Sequence, residues 1–315
     1  MRTGIWAVLA VGLIFLAGLM AWRYWSAQAS VSGERLSEEE IARYYPPATP
    51  LSGPLRVYHL GHSLVGRDMP AMLAQLSGHD WNSQLGWGAS LNQHLSGEVP
   101  GFAEENTSAA FRPAAGALDS GEYPVVVLTE MVDLSDAIRY HDSAQALRAW
   151  VERIRAARPD TRIYLYETWH DRALSADFPE GWVGRLRDDL PNLWEGVLLR
   201  ATLQENTEPV RLIPGGQVMA AFDRAARAGE IPGYSSAAGL FIDQIHFNDS
   251  GAYLMALTHY AVIRGVSPEG LPATVTRADG TAANAPGEEA AQAMQQLVWQ
   301  VVTSLPLTGV SAGTR

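Results

Sequence analysis

Leu55-Arg56-Val57-Tyr58-His59-Leu60-Gly61-His62-Ser63-Leu64 is an apolar run that breaks at a glycine and ends on a serine. Residues 55–60 are rich in strand-forming side chains and read as a buried β-strand. Asp68-Met69-Pro70 then carries helix-start chemistry, a capping-type Asp with Pro in the first turn. Met69, Met72, Leu73 and Leu76 follow at helical spacing, so one face of that helix is apolar. Strand, turn and helix in this order put Ser63 at the carboxyl end of a strand, where open α/β sheets gather their ligands. The amino terminus of the helix offers N–H groups and a partial positive charge to a developing oxyanion.

The same alternation continues outward. Further strands are expected near residues 82–85, 123–128, 162–166 and 210–213, and helices over 68–76, 143–157, 217–228, 249–264 and 288–305. Strands that alternate with helices predict an α/β fold with a parallel central sheet and crossover helices. Residues 168–205, rich in Trp, Arg and Asp, exceed a simple connection and are expected to form a helical wall beside the site. No internal repeat interrupts the pattern.

Composition bounds the function. The chain has 315 residues, no cysteine and a net charge of −11. Without cysteine there is no disulfide framework and no thiolate metal site, so the fold rests on one large core. The acidic balance argues against nucleic acid as partner, because phosphate binding needs a basic footprint. Residues 4–22 contain no charged side chain and are about as long as a bilayer-spanning helix. Trp22, Tyr24 and Trp25 suit the membrane interface. Residues 1–29 are thus expected to be a signal anchor; cleavage at the small residues Ala27-Gln28-Ala29 is the alternative. Residues 30–54 are expected as a linker with a short helix begun by Ser37-Glu38-Glu39-Glu40, and residues 55–315 as the soluble domain with a C-terminal helical extension.

Near the other end stands Phe241-Ile242-Asp243-Gln244-Ile245-His246-Phe247. A serine hydroxyl is a poor nucleophile until an imidazole takes its proton, and the imidazole needs a carboxylate to fix its tautomer. Ser63, His246 and Asp243 supply those three groups. An α/β-hydrolase elbow reads G-x-S-x-G, whereas Val65 stands where its second glycine belongs. The close D-x-x-H pairing of acid and base also disfavours that class. His141-Asp142 and His170-Asp171 lack a recognised metal-ligand spacing, so no metal is expected.

These residues resemble the SGNH (GDSL-type) hydrolases. Gly61-His62-Ser63-Leu64 is similar to the family's first block, and Asp243-Gln244-Ile245-His246 ahead of a helix is similar to its last. Gly88, in Gly86-Trp87-Gly88-Ala89-Ser90-Leu91, looks like the second-block glycine that helps bind the oxyanion. The likeness spans about residues 55–265. Two positions depart from the pattern. His62 replaces the usual aspartate, and Glu130, after the strand Val125-Val126-Val127-Leu128, stands where an asparagine donor is usual. An ionised Glu130 cannot donate a hydrogen bond, so it turns away, is protonated, or leaves the donation to another group such as Asn92.

The resemblance implies a three-layer α/β/α sandwich of the flavodoxin-like kind and a bacterial, membrane-anchored serine esterase that needs no cofactor. Ser63, His246 and Asp243 would be catalytic, with Ser63, Gly88 and Asn92 around the oxyanion. Glu130, Trp87, Trp169 and His170 are the expected substrate contacts. The implied substrate is an O-acetylated carbohydrate or similar ester, met outside the cytoplasm by a domain held at the inner membrane or secreted. The alternatives are an envelope polysaccharide O-acetyltransferase and a non-catalytic carbohydrate-binding or assembly protein on the same fold.

Overall fold

The strand that leads to Ser63 lies inside a five-stranded sheet. The structure, a computed structural model, describes residues 31–284 and 286–313. The expected membrane segment, residues 1–29, lies outside the described residues. Among the described residues no helix is long and apolar enough to cross a membrane. β1 (Arg56–His62) pairs with β2 (Asp80–Gly86) on one side and with β3 (Val125–Thr129) on the other. β4 (Arg162–Glu167) follows β3, and β5 (Arg211–Pro214) follows β4; every pairing is parallel. The order β2-β1-β3-β4-β5 is the flavodoxin-like arrangement, whose switch point falls at the carboxyl ends of β1 and β3. Ser63 is the first residue past β1.

Helices cover both faces. We label those used below α1 (Glu38–Tyr44), α2 (Asp68–Ser77), α3 (Leu91–Ser96), α4 (Ser143–Ala157), α5 (Gly215–Arg227), α6 (Asp249–Arg264) and α7 (Glu288–Ser304). Val57, Val125, Val127, Tyr164 and Tyr166 form one core cluster with Met72 of α2, Phe222 of α5, Leu254 of α6 and Val298 of α7. The alternate residues Leu60, Val126, Leu128 and Leu165 point to the opposite face and are equally buried. On that side the indole of Trp150 in α4 donates to the Leu91 carbonyl at 3.0 Å. The expected helices over 143–157 and 249–264 have those bounds in the structure.

Two expectations need correction. Asp68 does not cap α2: it is the first helical residue, Arg67 holds the cap position without a side-chain bond, and Asp68 accepts from the Ala278 N–H at 2.9 Å instead. Residues 33–54 are not a free linker but belong to the same compact unit as the sheet. Ser37 and Glu40 form a reciprocal capping box that starts α1. Leu36 and Tyr45 are buried, and the Leu36 N–H donates to Glu195 Oε1 at 2.8 Å. Burying two apolar side chains and satisfying a buried carboxylate outweighs the freedom that a linker would keep. Residues 168–205 do contain helix, Gly181–Asp189 running into a π-helical stretch, Leu190–Leu199.

Candidate active site

The turn that carries Ser63 is shaped by its neighbours. A Cβ on Gly61 would lie 2.7 Å from Thr129 Cβ and 2.9 Å from Val65 Cγ2, so only glycine lets β1 approach β3 while the chain folds back. The N–H groups of Val65 and Gly66 both return to the His62 carbonyl, at 2.9 and 3.3 Å. His62 is wholly buried. Its Nε2 donates to the Glu130 carbonyl at 2.8 Å, and its Nδ1 accepts from the Leu64 N–H at 3.3 Å. That pairing requires the neutral ring, and burial pushes its pKa down to about 4.

His94 braces the same strand. Its Nε2 donates to the Gly61 carbonyl at 2.8 Å and its Nδ1 faces the Gln84 amide at 2.9 Å; burial pushes it, too, down to about 4. Sequence reasoning missed this residue, because a helical histidine 33 positions from its partner leaves no local signature.

Ser63, His246 and Asp243 come together. Ser63 Oγ is 3.0 Å from His246 Nε2, and His246 Nδ1 is 2.7 Å from Asp243 Oδ2. With Nδ1–H donating to the carboxylate, Nε2 is left to accept the serine proton. Asp243 Oδ1 accepts from the N–H groups of Ile245 and His246, at 2.8 and 2.7 Å. The His246 side chain, then the two N–H groups, hold the Asp243 carboxyl down to about 2, so it is ionised across the neutral range. Ser63 and His246 are partly exposed and Asp243 is exposed, which makes this an open, shallow site.

The D-x-x-H loop is closed by the Ile242 N–H, which donates to the His246 carbonyl at 2.9 Å. The segment after β4 then grips it. The indole of Trp169 donates to the Ile245 carbonyl at 2.8 Å. Arg172 donates to the Asp243 and Gln244 carbonyls, at 3.0 and 3.1 Å, and lies over the Phe241 ring. Immediately downstream, Asn248 caps α6 by accepting from the Ser250 and Gly251 N–H groups.

The N–H groups of Ser63 and Gly88 have no protein acceptor among the described residues. They stand at neighbouring strand ends, because His62 pairs with Gly86 in the ladder. Gly88 is exposed, has a φ of 54°, and no atom lies within 4 Å of a Cβ built there. Its glycine identity therefore answers a backbone requirement and not a packing one. Asn92 is a partly exposed residue of α3's first turn.

Three expected substrate contacts are buried instead. Glu130 has no exposed surface; its Oε1 accepts from the Leu91 and Met131 N–H groups at 3.1 and 2.8 Å. Burial pushes its carboxyl up to about 7 against the pull of those donors. Glu130 thus joins β3, the start of α3 and, through its carbonyl, β1, the strand that leads to Ser63. Trp169 is packed among Tyr166, Phe241 and Phe247. His170 is buried with Nε2 2.7 Å from Asp189, while its carbonyl accepts from the Trp182 indole. Only Trp87, 55% exposed, keeps an open face. A cavity of about 800 Å³ bounded by residues 232–236, 238–239, 248–250, 284 and 286–290 is lined by none of the three candidate catalytic side chains. Among the described residues no group of three or more His, Cys, Asp or Glu side chains is arranged to hold a metal ion.

No protein-family model matches the chain, and no curated protein matches it. Solved structures do. A protein of Slackia heliotrinireducens assigned as an SGNH hydrolase is 25% identical, with a TM-score of 0.44, over 66% of this chain and 98% of its own. A protein of Parabacteroides merdae assigned as a GDSL-like lipase is 15% identical, with a TM-score of 0.44, over 70% and 99%. A carbohydrate esterase of family 3 from Talaromyces cellulolyticus is 13% identical, with a TM-score of 0.41, over 68% and 100%. With each of these TM-scores below 0.5, the functional reading rests on the site's own geometry. The solved structures that this chain resembles thus include an SGNH hydrolase, a GDSL-like lipase and a carbohydrate esterase.

Proposed function

We propose that this protein is a serine esterase that removes O-acetyl groups. The observation that carries the reading is the unbroken chain from Ser63 Oγ through His246 to Asp243, at 3.0 and 2.7 Å. Ser63 Oγ attacks the ester carbonyl as its proton passes to His246 Nε2. The Asp243 carboxylate stabilises the imidazolium so formed. The N–H groups of Ser63 and Gly88 receive the oxyanion of the tetrahedral intermediate. On collapse the C–O bond to the alcohol breaks, and His246 returns its proton to the departing oxygen. Water, deprotonated by His246, then attacks the acyl-serine; acetate leaves and Ser63 regains its proton. The chemistry needs no metal or organic cofactor. Residues 4–22, apolar and uncharged, support export and a domain held at the outer side of a bacterial inner membrane.

The test is p-nitrophenyl acetate hydrolysis by the residue 31–315 fragment, with Ser63→Ala and His246→Ala beside it. Each variant is expected to lose at least about a thousandfold in kcat, leaving the residual rate of a site without its nucleophile or base. An organophosphonate should label wild type at Ser63 and spare Ser63→Ala. Equal rates in all three proteins sink the esterase reading. Acetyl transfer to added glycan in place of acetate release makes the protein a transferase with the same triad.

A further inference from the structure

Trp87 is an exposed indole that is nevertheless fixed. Its N–H donates to Glu105 Oε1 at 2.9 Å, and its backbone N–H donates to the Pro100 carbonyl at 2.8 Å. One side of the ring rests on Gly101, where an added Cβ would sit 2.2 Å from Trp87 Cδ2. Gly101 has a φ of 64°, so both its backbone and its contact with the ring call for glycine.

The segment beneath the ring is itself tied down. Arg67, just past the nucleophile turn, donates to the Glu105 carbonyl at 2.7 Å. Asn106 accepts from the Leu85 N–H at 2.9 Å and donates to the Leu85 carbonyl at 2.8 Å. A single exposed aromatic needs no special reason, but this one is held: its edge N–H is bonded and one side of the ring is covered, so one flat, fixed face remains open next to Gly88 in the chain.

We infer that Trp87 is a stacking subsite for a pyranose ring, the alcohol half of the ester cleaved at Ser63. This rests on the esterase reading: with an acetyl group as the acyl half, any ring at the site belongs to the alcohol. The surroundings favour a sugar over an acyl chain. A chain needs a continuing apolar groove, whereas the indole edge meets the Glu105 carboxylate, whose own backbone carbonyl accepts from the Arg67 guanidinium. A pyranose presents C–H groups to the indole and keeps its hydroxyls at the edge, where a carboxylate and water accept from them.

Two acetate esters test the inference: ethyl acetate, which has no ring, and a mono-O-acetylated methyl glucopyranoside. The ratio of kcat/KM for the sugar ester to that for ethyl acetate should fall about tenfold in Trp87→Ala, the size of one lost stacking contact. Trp87→Phe should fall between, because it keeps a smaller ring. Gly101→Ala should lower the ratio from behind, by displacing the indole without removing it. An unchanged ratio overturns the subsite and leaves the esterase reading intact.

If Ser63-dependent hydrolysis is absent, the esterase reading fails separately. Calorimetric binding of acetylated xylotetraose to Ser63→Ala, with and without Trp87→Ala, then decides the subsite alone. Binding that weakens without the indole supports it. Binding that is equal in both proteins, or absent, overturns it.

Discussion

At Asp243 the two carboxylate oxygens have separate tasks, one on the His246 ring and one on two backbone N–H groups. Asp243→Asn keeps an oxygen for the backbone but presents an NH₂ to Nδ1 and forces the wrong imidazole tautomer. It is expected to lower kcat roughly 10³- to 10⁴-fold with an unchanged melting temperature, measured by ester hydrolysis and circular dichroism. The meeting of Ser63, His246 and Asp243 was legible in the sequence because Asp243 and His246 share one local motif and Ser63 follows a strand. The neighbours were less so. That Glu130 cannot donate while ionised follows from its chemistry; where its carboxyl goes depends on Leu91, 39 positions away. Trp169 and His170 follow a strand end and read as mouth residues, but aromatic packing and Asp189 draw them inside.

Among the elements, the segment after β4 acts as a rest for the D-x-x-H loop. Trp169→Phe keeps a smaller aromatic ring in the packing and deletes the bond to Ile245, so the loop loosens. Its kcat should fall roughly ten- to a hundredfold through misplacement of His246, while its urea midpoint reports a loss of about 2–3 kcal/mol, from the missing bond and the void together. Gly61→Ala is expected to act the other way, by overpacking β1 against Thr129 and Val65. The cost in urea unfolding should be about 1–3 kcal/mol. Strands and long helices were legible from periodicity. The π-helical Leu190–Leu199 was not, because its setting is tertiary: a Cβ on Gly196 would lie 2.8 Å from the Gly33 backbone, so the N-terminal segment and this turn fit only as a pair.

Over the whole molecule, buried ionisable groups set opposing limits on stability. Five of the eight histidines are driven neutral by burial: His62, His79, His94 and His259 to about 4, and His59 well below its ordinary 6.5. The unfolded chain therefore binds more protons at these sites. Their stabilisation is complete above pH 6.5 and is lost as the pH falls through about 4. Glu130 and Glu167 act oppositely, raised by burial from 4.5 to about 7 and about 8; their stabilisation is complete below 4.5 and is lost as the pH rises through those values. The melting temperature should peak near pH 6.5, where the histidine gain ends and the carboxyl loss continues. Glu130→Gln, which keeps the acceptor for Leu91 and Met131, should flatten the alkaline limb; a melting temperature that climbs steadily into that range contradicts the assignment. At this scale the alternation of strands and helices made the parallel sheet legible. The burial of these charges was not, since it depends on which elements meet.

Ser63 and His246, the proposed nucleophile and base, lie 183 positions apart. Ser63 is made early and His246 late, and the hydroxyl has no activating partner until the last third of the chain has docked. On the esterase reading, a nascent chain is chemically silent, and a chain cut between the two residues whose pieces drift apart is silent again. Turnover would then report on completed assembly, and its regain after denaturation would time the arrival of the D-x-x-H loop.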